Sequence, residues 1–362
     1  MHEKEVTTVQ KKWLIYGAYG YTGELIAREA KKRGMRPVLA GRNPDKLKPL
    51  GEELQLETRV FPVGPAAAES LSDIALVLHC AGPFQKTSAP MIRACLEAGA
   101  DYLDITGEIS VFEHSFAQNA AAKEADITVC SGVGFDVIPT DCTALKLKEL
   151  MPDAESLSLG FDSNSGISPG TFKTMIEGMG SGSAERRDGQ IIPVPLGSQR
   201  RMIDFGRGTR SSIGIPWGDV STAFYTTGIP NISAWIPMKK SRILGARIFS
   251  RTGSILTLPF VQKTLKNWVE RRVSGPDETL RAGAPAYIWG EAVNAEGVVQ
   301  TVRIQTANVY DVTVYGALKA ASRLLDGDFP SGSFTPAALF GAELIEQLPG
   351  SGKFEVETVY PG

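Results

Sequence analysis

The sequence predicts an α/β protein with a Rossmann-type parallel-sheet domain followed by an α+β domain with an antiparallel or mixed sheet. An apolar strand at residues 13–16 runs into a glycine-rich turn and a helix, and strands then alternate with helices. After Pro152, short apolar stretches, such as residues 222–225, are separated by glycine and proline, which favours antiparallel or mixed strands. The expected divisions are a flexible start (1–11), the Rossmann domain (12–142), a second domain (143–309) and C-terminal helices over about 310–362 that pack back on the first domain. One of these helices is expected at the amphipathic stretch 339–348.

The glycines that follow the first strand have the spacing GxxGxxG. Gly17 permits a tight turn, Gly20 lets the backbone approach a pyrophosphate, and Gly23 lets the helix pack closely on the strand. The helix expected at residues 24–32 then directs its N–H groups and partial positive charge at the phosphates. The turn also supplies three further predicted cofactor contacts: Tyr19, Tyr21 and Thr22.

The second strand, residues 37–40, ends in Gly41 and Arg42. An NAD site carries an acid about 20 residues after the glycine turn, which binds the ribose 2′-hydroxyl. No acid lies between Pro37 and Pro44, and the guanidinium of Arg42 can instead pair with a 2′-phosphate. We therefore predict NADP(H) as the cofactor, with Gly41 and Arg42 in its site.

Three further buried strands are expected at residues 75–80, 101–106 and 127–131, with helices at 88–98 and 111–124 between them. Ligands of open parallel sheets bind outside the carboxyl ends of the strands. The residues at these ends are rich in glycine and polar side chains, and they are predicted to form the floor of the active cleft. The remaining predicted cofactor contacts are Ala81, Gly82, Pro83, Thr106 and Gly107.

The candidate catalytic groups are Glu108 and Asp136, each near a strand end, together with Lys173 and Tyr225 from the second domain. A carboxyl group at such a place can have a raised pKa and act as an acid, or it can bind a substrate cation. Lysine, tyrosine or a backbone N–H could stabilise a developing enolate. The structural alternative is that Asp136 and Asp141 cap the following helix and fix its turn.

The histidines and cysteines of this chain predict neither a metal site nor a general acid. There are three histidines and four cysteines and no CxxC pair, so we predict no metal site and reduced buried thiols. His79 lies in a predicted buried strand as a core residue, and His114 lies on a helix away from the strand ends. Neither is expected to be the general acid.

Five segments resemble the saccharopine dehydrogenase-like oxidoreductases, in particular the branch with the mycobacterial trans-acting enoyl reductases and the animal saccharopine dehydrogenase-like oxidoreductase. The match extends to about residue 180, and residues 165–171 are similar to a glycine-rich segment of that branch. The resemblance implies a Rossmann domain with NADP(H), a second domain over the nicotinamide, and reduction of a C=C or C=N bond. It does not fix a substrate. The five segments are residues 17–23, 40–42, 81–84, 102–108 and 134–141.

Residues 239–272 form a basic segment with apolar residues between its charges: nine lysines and arginines against the single acid Glu270. Such a segment can form a subunit interface or cover the core, and it can also contact an anionic membrane surface or a long apolar substrate. The formal net charge of the whole chain is −2, which gives no nucleic-acid signal. No secretory signal and no run of about 18 apolar residues is seen, so a cytoplasmic protein is expected, with peripheral contact at the inner membrane surface as an extension.

The leading functional hypothesis is an NADPH-dependent reductase of a conjugated C=C bond in an apolar or lipid-like small molecule. The first alternative is a C=N reductase or amino-acid dehydrogenase of saccharopine type, which would need arginine clamps for substrate carboxylates. The second alternative is a membrane-associated scaffold that binds NADP(H) without turnover. A homodimer is the partner arrangement left open. The candidate clamp residues are Arg186, Arg187, Arg200, Arg201, Arg207 and Arg210.

Overall fold

The computed structural model describes residues 11–163, 183–238 and 284–361. Its first sheet has seven strands: β1 (Trp13–Tyr16), β2 (Val38–Gly41), β3 (Thr58–Val60), β4 (Leu76–His79), β5 (Asp101–Asp104), β6 (Thr128–Cys130) and β15 (Gly332–Phe334). All seven are parallel, and they lie in the order β15-β6-β5-β4-β1-β2-β3. The helices that follow these strands are α1 (Tyr21–Lys32), α2 (Pro44–Leu54), α3 (Phe84–Ala98), α4 (Ile109–Ala117), α5 (Asn119–Glu124) and α6 (Ile138–Leu150).

Burial explains why the central strands are apolar, apart from His79 at the end of β4. All residues of β1, β2 and β4 are buried, because helices cover both faces of a parallel sheet. Helix α1 contributes Ile26, Ala27 and Ala30 to the core beneath it. Since every strand of this sheet runs in the same direction, the loops after β1, β2, β4, β5 and β6 all emerge at one edge.

The second sheet has nine strands and is mixed, since β7 (Ala154–Ser163) and β12 (Asn231–Pro237) are parallel while the other pairs are antiparallel. One face packs on α6. This architecture confirms the predicted fold class. The strands are β7 (Ala154–Ser163), β8 (Ser183–Arg187), β9 (Gln190–Val194), β10 (Arg200–Asp204), β11 (Thr209–Ile215), β12 (Asn231–Pro237), β13 (Ala286–Asn294), β14 (Val299–Thr306) and β16 (Glu355–Val359).

Three elements differ from the sequence-based expectation. The apolar stretch 222–225, expected among the strands, lies in helix α7 (Asp219–Thr227), which ends at Gly228 in a left-handed conformation. The expected helix 111–124 is divided at Gln118 into α4 and α5. The amphipathic stretch 339–348 is a short helix, α9 (Pro336–Phe340), and a 3₁₀ turn, because Gly341 has a φ of +87° and interrupts the helix.

The C-terminal part of the chain contacts both sheets. Helix α8 (Val309–Asp326) packs against α1 and the first sheet, and β15 adds a strand beside β6. The tail is not helical throughout, since β16 pairs with β14 at the edge of the second sheet. No helix within the described ranges is both long and apolar enough to cross a membrane.

Candidate functional site

The turn after β1 has the geometry that a dinucleotide site requires. Gly17 has a φ of +83°, and a Cβ there would lie 2.8 Å from the Ala81 Cβ. A Cβ on Gly23 would lie 2.3 Å from the Gly17 carbonyl oxygen, so only glycine lets α1 approach the turn this closely. Gly20 is the N-cap residue of α1, and among the described residues no side chain caps this helix. The backbone N–H groups of the first turn therefore fit the pyrophosphate of a bound cofactor.

The tyrosines of this turn have different surroundings. The Tyr19 ring packs on Gly41, where a Cβ would lie 2.5 Å from Tyr19 Cε1. Tyr21 starts α1 and meets the ring of Tyr310 on α8 edge-on at 5.2 Å. Thr22 follows in the same first turn. The turn and the end of β2 are therefore one continuous surface.

Arg42 follows β2 and is exposed at this edge. No acid of the described chain forms an ion pair with it within 4.0 Å, so its guanidinium can bind an added phosphate. The neighbouring Asn43 is already used, because its side chain accepts hydrogen bonds from Asp45 and Lys46 and caps α2. This arrangement fits a 2′-phosphate at Arg42.

The segment Ala81–Gly82–Pro83, which we call the strap, links β4 to α3 beside the Gly17 turn. Glu108 holds the start of α3, since its carboxylate accepts hydrogen bonds from the N–H groups of Phe84 at 3.3 Å and Gln85 at 3.2 Å. The Glu108 N–H in turn donates to Thr106 Oγ1 at 3.2 Å. Glu108 therefore stabilises the N-terminal end of α3. The sequence did not reveal this role, because the two N–H groups that Glu108 binds lie 24 and 23 residues earlier in the chain.

Asp104 joins the ends of β5 and β6 beneath these loops. Its carboxylate accepts hydrogen bonds from the Tyr102 hydroxyl at 2.9 Å, the Thr106 N–H at 3.1 Å and the Gly132 N–H at 2.8 Å. The residue is fully buried, and burial raises the pKa of the carboxyl group even though these donors lower it. Thr106 and the strand-end loops therefore depend on Asp104 for their positions.

We expect Asp104→Ala to destabilise the protein strongly, because three buried donors lose their acceptor at about 1–3 kcal/mol each. Urea unfolding followed by circular dichroism would measure the loss. Tyr102→Phe is the matched control, since it removes only one of the three donors and should cost clearly less. Equal losses in the two variants would contradict the assigned role of Asp104.

Asp136 lies beside Gly107 at the end of the loop that follows β6. A Cβ on Gly107 would lie 2.7 Å from Asp136 Oδ2, so the two strand-end loops touch here. The Asp136 backbone carbonyl accepts a hydrogen bond from Trp217 Nε1 at 3.0 Å. Burial raises the pKa of the Asp136 carboxyl to about 6. Asp136 is thus a half-buried acid at the junction of the two domains.

Asp141 does not cap its own helix, which corrects that structural alternative. Its carboxylate accepts hydrogen bonds from the Thr226 hydroxyl and from the Ala337 N–H, the latter at 2.8 Å, so it holds the start of α9. Burial raises its pKa to about 6. For Asp136, no described residue donates a hydrogen bond to its carboxylate, and α6 has no side-chain cap. Neither Asp136 nor Asp141 therefore serves as the cap of α6.

Three aromatic rings line the junction next to Asp136. Phe135 meets Phe161 edge-on with centroids 5.4 Å apart, and Phe161 lies 4.9 Å from Trp217. Phe161 and Trp217 are only partly buried. We call these three residues the aromatic wall. It places an apolar surface beside an acid at the edge where the cofactor would bind.

Asp219 is a buried acid that the sequence analysis missed. It begins α7 directly after Trp217 and Gly218, and 1% of its surface is exposed. Its Oδ1 accepts a hydrogen bond from the Thr140 hydroxyl at 2.6 Å, and burial raises the pKa of its carboxyl group well above the ordinary value. The sequence signal was weak, because Asp219 follows a strand of the second sheet while Thr140 belongs to the first domain.

Of the two remaining catalytic candidates, the structure describes Tyr225, whose contacts lie with α4 and not with Asp136. Tyr225 is exposed on α7, where its hydroxyl donates to Glu113 at 3.2 Å and its ring stacks on Phe116 with centroids 3.6 Å apart. Burial and the Glu113 carboxylate raise the pKa of the Tyr225 hydroxyl. Lys173, the segment 165–171 and the basic segment 239–272 lie outside the described residues.

Most of the candidate clamp arginines are held by partners within the chain. Arg186 is 5% exposed and bonds Glu113 and the carbonyls of Val220 and Gly189. Ion pairs hold four others: Arg187 with Glu185, Arg201 with Glu291, and both Arg207 and Arg210 with Asp162.

These features define a two-domain protein with a dinucleotide site at the strand ends of its parallel sheet. Residues 13–130 match the family model of the saccharopine dehydrogenase NADP binding domain. This match confirms the resemblance seen in the sequence, and the cofactor of the first domain is NADP(H).

Several named proteins are similar to this chain. The human saccharopine dehydrogenase-like oxidoreductase is 29% identical over 51% of this chain and 50% of its own length, so the chain spans about half of that relative. A Mycobacterium ulcerans trans-acting enoyl reductase is 30% identical over 35% of this chain and 33% of its own. A Mycobacterium tuberculosis protein, named among the trans-acting enoyl reductases, is 27% identical over 94% of this chain and 95% of its own.

A solved structure supports the overall architecture. Saccharopine dehydrogenase (L-Glu forming) from Saccharomyces cerevisiae superposes with a TM-score of 0.65, at 11% identity, over 96% of this chain and 100% of that one. At this identity the likeness concerns the fold alone.

Proposed function

We propose that the chain is an NADPH-dependent reductase of a conjugated C=C bond in an apolar small molecule. The observation that carries the proposal is the contact between Asp136 and the strand-end loop at Gly107, next to the aromatic wall. An apolar chain can lie against the partly buried rings of Phe161 and Trp217. The names of the mycobacterial relatives, which are trans-acting enoyl reductases, agree with reduction of a conjugated C=C bond.

The cofactor supplies the hydride when it is bound. The 2′-phosphate would be held by Arg42, the pyrophosphate by the Gly17 turn and α1, and the nicotinamide half would reach toward the strap and Thr106. Asp136 then delivers the proton that completes the reduction at the carbon next to the substrate carbonyl. Its raised pKa makes a protonated carboxyl available near neutral pH. The Trp217 indole fixes the Asp136 backbone and helps to keep water from the site.

The arginine pairings favour this reaction over one of saccharopine type. A dicarboxylic substrate needs free guanidinium groups, whereas five of the six candidates are occupied by carboxylates or carbonyls of the chain itself. Arg200 is the remaining candidate. The C=N alternative would therefore require several of these ion pairs to open.

The experiment is an assay of NADPH oxidation with two sets of acceptors. One set contains short and long α,β-unsaturated thioesters, and the other contains α-keto acids mixed with amino acids. We expect turnover with the unsaturated thioesters, increasing with chain length. Turnover only with the keto acid and amine pairs would replace the proposal with the C=N alternative.

The scaffold alternative predicts NADPH binding without oxidation of any acceptor. Flotation with anionic vesicles, dependent on residues 239–272, would support it. Membrane contact and a homodimer remain predictions, because that segment lies outside the described residues.

A further inference from the structure

His79 is a fully buried polar residue at the end of β4, and only Cys80 separates it from the strap. Its ring is surrounded by the rings of Tyr16, Phe84 and Tyr102, with centroids 5.5, 5.4 and 6.2 Å away. Its Nε2 lies 3.0 Å from the Thr87 hydroxyl on α3. His79 thus has one polar contact in an otherwise aromatic pocket.

The direction of the hydrogen bond between His79 and Thr87 follows from the protons that the imidazole and the hydroxyl carry. Burial lowers the pKa of His79 to about 3, so the imidazole is neutral and carries one N–H. The single Thr87 hydroxyl proton is donated to the Ala81 carbonyl at 2.7 Å, with the Pro83 carbonyl at 3.2 Å as a second acceptor. Thr87 must therefore accept from His79, which places the imidazole proton on Nε2.

The chain of bonds from His79 through Thr87 ends on the strap. Ala81 is also the residue that lies against the Gly17 turn, since its N, Cα and Cβ atoms are 2.8–3.0 Å from a Cβ built on Gly17. Glu108 holds the other end of the strap at the start of α3. The strap is thus fixed at both ends by hydrogen bonds to buried or partly buried side chains.

The strap lies on the side of the sheet that would take the nicotinamide half of the cofactor. The pyrophosphate site is at the end of β1, and Arg42 lies at the end of β2 on one side of it. The strap follows β4, on the opposite side of β1. A dinucleotide bound across the strand ends with its 2′-phosphate at Arg42 therefore extends its other half over the strap.

We propose that His79 is a positioning residue, which acts through Thr87 to hold the Ala81 carbonyl and the strap in the conformation that receives the nicotinamide half of NADP(H). The inference rests on the orientation of the cofactor in the proposed function, but not on the reaction or its substrate. His79 has no contact with the cofactor in this arrangement, and it donates no proton to the substrate.

The test compares two ligands by isothermal titration calorimetry: NADPH, and 2′,5′-ADP, which lacks the nicotinamide half. We expect Thr87→Val to weaken NADPH binding by about 3- to 10-fold, the value of one net hydrogen bond, and to leave 2′,5′-ADP binding unchanged. Thr87→Ser keeps the hydroxyl and should bind NADPH as the unaltered chain does. His79→Phe should reproduce the Thr87→Val result, and His79→Gln, which can present an N–H near the Nε2 position, should restore part of the affinity.

Two outcomes would overturn the inference. The first is NADPH binding that stays unchanged in Thr87→Val while the unaltered chain binds NADPH normally. The second is an equal loss for both ligands, which would mean a general structural role for His79 and Thr87. Failure of the unaltered chain to bind NADPH would instead refute the cofactor assignment, so the two failures are distinguishable.

Discussion

Replacing Asp136 with asparagine is expected to lower kcat for NADPH oxidation by about 10²- to 10⁴-fold, the usual contribution of a positioned general acid. Asparagine keeps the shape beside Gly107 but cannot donate the proton. NADPH affinity should be unchanged, because the proposed cofactor contacts lie at the Gly17 turn, Arg42 and the strap. Steady-state rates with the best acceptor from the screen, together with NADPH titration, would measure both.

The pH dependence of kcat is a second test of the role of Asp136. Since burial raises its pKa to about 6, the protonated fraction falls as pH rises above that value, and kcat should fall with it. Asp328→Asn is the matched control, because Asp328 is exposed and lies near the C-terminal end of α8. An Asp136→Asn variant with normal kcat and an unchanged pH profile would remove Asp136 from the mechanism.

Replacing Arg42 with alanine is expected to weaken NADPH binding by about 10- to 100-fold, since a charge-assisted hydrogen bond contributes roughly 1.5–3 kcal/mol. NADH lacks the 2′-phosphate, so its affinity should change little and the preference for NADPH should collapse. Fluorescence titration with both cofactors would measure the two affinities.

Arg36→Ala is a close control for that measurement. Arg36 precedes β2 and Arg42 follows it, both are exposed, and the four-residue strand between them places the two at opposite ends. Arg36→Ala should therefore retain the preference for NADPH. Equal losses of NADPH and NADH binding in Arg42→Ala would mean that Arg42 supports the loop and does not read the phosphate.

The sequence predicted those parts of the fold that leave a local pattern. The apolar run at β1, the glycine turn and the alternation of strands with helices are all contained within short windows. By contrast, β15 is only three residues long and finds its partner β6 about two hundred positions earlier in the chain, so no local pattern marks it. Helix α7 was missed because its apolar residues 222–225 also suit a strand.

In the candidate site, too, the features that depend on strand order could be predicted, and those that depend on distant partners could not. The loops that carry Gly17, Arg42 and Asp136 could be predicted to meet, because the carboxyl ends of parallel strands share one edge. The hydrogen bonds of Glu108 to α3 and the burial of Asp219 beside Thr140 could not be predicted, since each depends on a partner in a distant element. Local spacing carries no information about such contacts.

The route of the C-terminal segment has a consequence for how the molecule unfolds. Residues 309–334 complete the first sheet at β15, and residues 355–359 then return to β14 in the second sheet, so one continuous stretch closes both. Neither sheet has all its strands until this stretch is in place. We therefore expect a single cooperative denaturation transition, and slow folding, because the pairing of β15 with β6 spans about two hundred residues of the chain.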